Sequence, residues 1–162
     1  MALALILMYL ACCESNTVHR MKAENLDIIK DFEGLKLTAY KCPAGKWTIG
    51  FGHTRNVSPG DTITEAQAVG YLYNDVRKIE RFINGYDLDL NQNQFDALVS
   101  FGFNVGIGNL KRSTLFKKVR QDPDDITIYT EFTRWVRANG KPLRGLLKRR
   151  IAEANLYFEG RI

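Results

Sequence analysis

The sequence predicts an α+β fold: mostly helical, two-lobed, with one small antiparallel sheet and a long helix between the lobes. Two observations carry this. Thr64-Glu65-Ala66-Gln67 is a capping-box start, and apolar residues follow it for about five turns. Before it, Leu37 to Val57 is rich in strand-favouring residues (Thr38, Tyr40, Trp47, Thr48, Ile49, Phe51) around a Pro43-Ala44-Gly45 turn.

In chain order, Leu26, Ile28, Ile29 and Phe32 have helical spacing over Lys22 to Phe32. Gly34 is a plausible stop, so Glu33 falls at a helix end. The strand-rich stretch follows, with Gly50 and Gly52 flanking Phe51. The long helix places Ala66, Val69, Leu72, Tyr73, Val76, Ile79, Phe82 and Ile83 on one face. Asn91 caps the next helix, which carries Phe95, Leu98, Val99 and Phe103 and ends in Asn104-Val-Gly-Ile-Gly108. Ser113 starts a short helix through Val119. Asp122-Pro123-Asp124 breaks the chain, and Ile126 to Val136 is expected to be helical. Pro142 suits the first turn of a last helix reaching about Phe158.

With 162 residues, 45% of them hydrophobic and 25% charged, the chain can bury one good core. Its net charge of +5 favours polyanionic partners such as cell wall or an anionic membrane. Basic clusters stand at Lys111, Arg112, Lys117, Lys118 and Arg120, and at Arg144, Lys148, Arg149 and Arg150. No nucleic-acid motif accompanies them, so nucleic acid is not an expected partner. Three cysteines without a Cys-x-x-Cys pair or a Cys/His cluster make a metal site unexpected, and no cofactor is expected.

The chemistry concentrates in one stretch. Glu33 ends a helix, Cys42 follows nine positions later, and Thr48 six after that. A glycan-cleaving site needs a proton donor and, across a gap, a group that activates or replaces water. Upstream, Met1 to Cys13 is apolar and uncharged. It is short of the roughly 20 residues of a spanning helix and lacks the basic start of a secretory signal. Three readings stay open: a retained export and anchoring signal, a cleaved or truncated signal, or a helix packed on the domain. Residues 1–21 are assigned to this segment and 22–162 to the folded domain.

Glu33 to Thr48 resembles the catalytic signature of the phage-type lysozymes, glycoside hydrolase family 24, where a Glu is followed by Asp or Cys and then Thr. Trp47-Thr-Ile-Gly-Phe-Gly-His53 resembles that family's sheet segment. Asn93 to Gly106 resembles its core helix, and Gly145 to Glu153 its C-terminal helix. The resemblance covers about 22–160. It implies cleavage of the β-1,4 bond between N-acetylmuramic acid and N-acetylglucosamine in peptidoglycan, with inversion, in a cleft between two lobes. Met1 to Cys13 is similar to the signal-anchor-release segment of an endolysin subgroup. That implies export by a bacterial host, tethering to the inner membrane facing the periplasm, and later release as a soluble periplasmic enzyme. A monomer is expected.

The resemblance assigns Glu33 as general acid. Its carboxyl must hold a proton, which burial against apolar neighbours such as Phe32 favours. Cys42, where Asp is common, would act as thiolate base or stabilise positive charge on the sugar. An ordinary thiol has a pKa of about 8.5, so a cation must assist, and Lys41 and Lys46 are near in sequence. Thr48 would position the water. His53 is read as structural, paired with Asp75, and Arg149, ahead of Arg150, as the guanidinium contacting Glu33. Asn104 and Trp135 are candidate cleft residues, Trp135 equally a core residue. In an oxidising periplasm Cys42 would pair with Cys12 or Cys13, blocking catalysis until reduction or exchange. Two other classes compete. A non-enzymatic wall-binding module leaves the Glu33, Cys42 and Thr48 spacing without a reason. A cysteine peptidase or amidase requires His53 to face Cys42.

Overall fold

A computed structural model describes residues 18–42, 45–138 and 140–159. Cys12, Cys13 and the proposed anchor lie outside these residues. Helix α1 (Asp27–Glu33) follows a 3-10 turn at Glu24–Leu26; Leu26 of the turn and Ile29 of the helix are buried. Gly34 ends it at φ 68°, a conformation glycine adopts without strain, and its N–H donates to the Lys30 carbonyl. Glu33 is thus the last residue of the helix.

Strands β1 (Lys36–Lys41) and β2 (Trp47–Gly50) form an antiparallel hairpin that pairs Tyr40 with Thr48 and Lys41 with Trp47. Helix α2 (Glu65–Asn84) starts at a complete capping box: Thr64 Oγ1 accepts from Gln67 N–H, and Gln67 Oε1 accepts from Thr64 N–H. Its buried stripe is Ala68, Leu72, Val76, Ile79 and Ile83, at helical spacing. Ala66 is exposed, contrary to its expected place on that face, because it sits about 200° around the helix from Ala68. The sheet packs on the start of α2 at Gly50, where a Cβ would lie 3.3 Å from that of Ala68.

Helix α3 (Gln92–Val105), capped by the Asn91–Gln94 box, is the hub. Every residue from Gln94 to Gly102 is buried, because α2, α4 (Ile107–Arg112) and α7 (Arg144–Tyr157) all pack against it. Gly102 permits the close approach: a Cβ there would fall 2.7 Å from Ile79 and 3.0 Å from Leu110. Helix α5 (Thr114–Gln121) begins at Ser113, whose hydroxyl accepts from Phe116 N–H. Phe95, Phe101, Phe116, Phe132 and Tyr157 are the largest apolar parts of the core.

The chain after Pro123 departs from the expected helix over Ile126 to Val136. Helix α6 spans only Ile128–Thr133. It starts late because the Asp125 carboxylate accepts from the Thr127 N–H and hydroxyl, closing a turn that competes with helix. After it, β3 (Arg137–Ala138) and β4 (Lys141–Pro142) form a second, minimal hairpin, turning at Gly140 with φ 76°. Pro142 therefore sits in a strand rather than in the first turn of α7. A two-residue strand tolerates its missing donor, and Leu143 N–H reaches back to the Val136 carbonyl instead. At the other end, residues assigned to the leader dock on the domain. The Asn84 side chain brackets the His19 backbone, Glu80 accepts from Arg20 and from Met21 N–H, and Met21 is buried.

Candidate active site

The C-terminus of α1 projects Glu33 toward α7. Arg149 Nη1 donates to Glu33 Oε1 at 2.6 Å, while Oε2 faces Gly52 beyond β2. The guanidinium is buried and the carboxylate side chain is 24% exposed, so the pair sits at the floor of an opening. That opening is a cavity of about 490 Å³ whose lining includes Glu33, Gly52, Asp75, Gly102, Phe103 and Asn104. Phe32 does not shield the acid as expected. It is exposed, and its ring lies against the Arg149 guanidinium at 5.7 Å.

Arg149 is held from three directions. Its Nε donates to Glu153 Oε1 at 3.0 Å, and its Nη2 contacts the Ser100 carbonyl at 3.4 Å. Glu153 is wholly buried, accepts from Ser100 Oγ at 2.8 Å, and meets Arg150 Nε at 2.9 Å. Burial pushes the Glu153 carboxyl above its ordinary range, and the two guanidiniums and Ser100 pull it back. Burial lowers Arg150 to about 10, opposed by Glu153, so it stays cationic at neutral pH. Arg150 serves Asn104 rather than Glu33: its Nη2 donates to Asn104 Oδ1 at 3.1 Å and its guanidinium lies 4.8 Å from the Phe101 ring. Neither Glu153 nor Ser100 was singled out from sequence. The one available signal is the i,i+3 and i,i+4 spacing of Glu153 from Arg150 and Arg149 on one helix.

His53 and Asp75 come together, with Nδ1 to Oδ2 at 2.6 Å. His53 Nε2 faces the Arg55 carbonyl at 2.9 Å, and the ring stacks on Tyr71. Both ring nitrogens thus face acceptors, and the imidazole ties the segment after β2 to α2. With both nitrogens committed, His53 is not the base of a Cys42 nucleophile.

Cys42 and Thr48 flank the tip of the first hairpin. Cys42 N–H and Thr48 Oγ1 both donate to the Lys46 carbonyl, at 2.9 and 3.1 Å. Cys42 is half-buried and Thr48 buried. They are not among the residues lining the cavity at Glu33, and neither is Trp135, which packs edge-on to Phe101.

Comparison with known proteins fixes the class. A family model described as phage lysozyme matches residues 30–153. The endolysin of Acyrthosiphon pisum secondary endosymbiont phage 1 is 44% identical over 139 residues, 83% of this chain and 94% of that protein. The endolysin of Bacillus phage PZA is 41% identical, and the chain spans about half of it (54%). The SAR-endolysin of Bacteriophage PS119 is 37% identical over 80% of this chain and 78% of that protein. Among solved structures, the muramidase domain of SpmX from Asticaccaulis excentricus superposes with a TM-score of 0.79 at 34% identity. The match covers 86% of this chain and 97% of that one. Fold and relatives together define a lysozyme, a hydrolase of glycan chains. The chain belongs to the phage lysozyme family.

Proposed function

We propose that this chain is an endolysin that hydrolyses the β-1,4 bond between N-acetylmuramic acid and N-acetylglucosamine in bacterial peptidoglycan. The observation that carries this reading is the Glu33 carboxyl, with one oxygen gripped by a buried guanidinium and the other facing an open cavity. Glu33 gives a proton to the glycosidic oxygen as the bond to the anomeric carbon breaks. Water attacks that carbon and passes its proton to the Cys42 thiolate, with Thr48 holding the water. Endolysin relatives and a muramidase neighbour support the substrate. Glu33→Gln should lower muralytic turnover by roughly 10²–10⁴-fold, the span for a positioned acid or base, with folding intact. Cys42→Ser should fall comparably and Cys42→Asp retain substantial activity, measured as new reducing sugar ends. Full-speed lysis by Glu33→Gln would end the proposal. New amines instead of sugar ends would mean an amidase or peptidase, and no cleavage a wall binder.

The reading extends to storage. Residues 1–21 act as a signal-anchor-release segment, and a disulfide from Cys42 to Cys12 or Cys13 holds the exported enzyme inactive. Support comes from the apolar leader and from the SAR-endolysin relative. Among the described residues no helix is long and apolar enough to cross a membrane. Oxidised protein should gain lytic activity on adding a thiol reductant, and a Cys12→Ser, Cys13→Ser variant should need none. A peptide map of the oxidised protein with no link from Cys42 to the leader overturns the caging.

A further inference from the structure

Beside the cavity at Glu33 lies a second one of about 430 Å³, and its walls carry an excess of positive charge. Arg77, Lys78 and Arg81 of α2 line one side, with Arg55 and His53 from the segment after β2. Asp75 is the single carboxylate among them, and it is already engaged by His53 at 2.6 Å and Lys78 at 3.1 Å. Among the described residues, no carboxylate pairs with Arg55, Arg77 or Arg81. Arg77 and Arg81 stand one helical turn apart, an arrangement that like-charge repulsion disfavours. The Arg55-Asn56 bend is fixed by Asn56 in the left-handed region at φ 54° and by the His53–Arg55 hydrogen bond, so the facing wall is preset. The stacked His53 and Tyr71 rings give the pocket a flat side.

We propose that this pocket is an oxyanion subsite for the carboxylates of peptidoglycan stem peptides. The two cavities share Arg55, Asp75 and Lys78, so a glycan strand seated at Glu33 continues past the pocket mouth. Muramic acid carries its peptide on a lactyl ether, and that peptide's free carboxylates are the anions nearest the bond being cut. Guanidinium forks match carboxylate geometry. The proposal rests on the peptidoglycan reading above and adds a preference for peptide-bearing strands.

Arg77 and Arg81 are exposed, touch no catalytic group and line only the second cavity, so the test is Arg77→Gln combined with Arg81→Gln in the full chain. Rates are measured on intact peptidoglycan and on glycan strands stripped of peptide by an amidase. The double variant should lose roughly fivefold in kcat/KM on peptide-bearing wall, mainly through KM, the size expected of two exposed ion pairs. It should match the wild type on stripped strands. Arg77→Lys with Arg81→Lys should recover part of the loss. An equal loss on both substrates, or no loss on either, overturns the subsite. So does unchanged discrimination together with lost binding to phosphatidylglycerol vesicles, which would assign the pocket to phosphate. If the wild type releases no new sugar ends from either substrate, it is the muramidase reading that fails.

Discussion

Arg149 works because Glu153 holds it. A buried guanidinium ion-paired only to a partly exposed acid would carry a large desolvation cost, and Glu153 and the Ser100 carbonyl offset it from behind. Glu153 serves Arg149 and Arg150 at once, so removing its charge strips Arg150 of its carboxylate and leaves Arg149 with Glu33 alone. Glu153→Gln should therefore destabilise by about 3–5 kcal/mol, the usual cost of breaking a buried pair, measured by urea denaturation. It should also loosen Glu33 and lower turnover. The run Arg144 to Ala154 looks like solvated surface charge because a lone sequence does not separate a buried ion pair from an exposed one. The Glu33–Arg149 contact joins residues 116 positions apart and was reached through family resemblance rather than local pattern.

At the scale of elements, the Thr64–Gln67 capping box was legible because its chemistry is complete within four residues; Asn91 was legible as a cap, but its reciprocal partner Gln94 emerged only in the structure. The first hairpin was legible from its strand-rich flanks and Pro-Gly turn. The second was not, although Asn139-Gly140 is a hairpin-type dipeptide. Two-residue strands leave no alternation to read, and Pro142 fits a helix start as well as an edge strand. Gly102 is a further case, where only the fold reveals the need for glycine in mid-helix. Gly102→Ala should cost about 1–3 kcal/mol by overpacking against Ile79 and Leu110, read as a lower thermal midpoint.

Across the whole molecule, acid stability is a balance of opposite signs. Asp125 is held down to about 2 by Thr127 and then Lys118. Its lowered value means that its stabilisation is present above the ordinary value of 3.8 and disappears as pH falls through about 2. Asp96 and Glu153 are pushed up by burial. Their contribution is full below 3.8 and 4.5 and is lost as pH rises through their folded values. Asp125→Asn should lower the thermal midpoint at pH 6, and the gap to wild type should close toward pH 2. A gap that stays constant over that range would assign the loss to the turn rather than to charge.

The clamp on Glu33 comes from α7, the last helix among the described residues. A ribosome that has reached Thr133 has already produced the sheet, α2 and the hub helix, yet the acid at the end of α1 still has no guanidinium beside it. The carboxyl and the guanidinium that grips it are thus separated by 116 residues of synthesis. A fragment ending before Arg144 should therefore carry the Glu33 carboxyl with no guanidinium beside it.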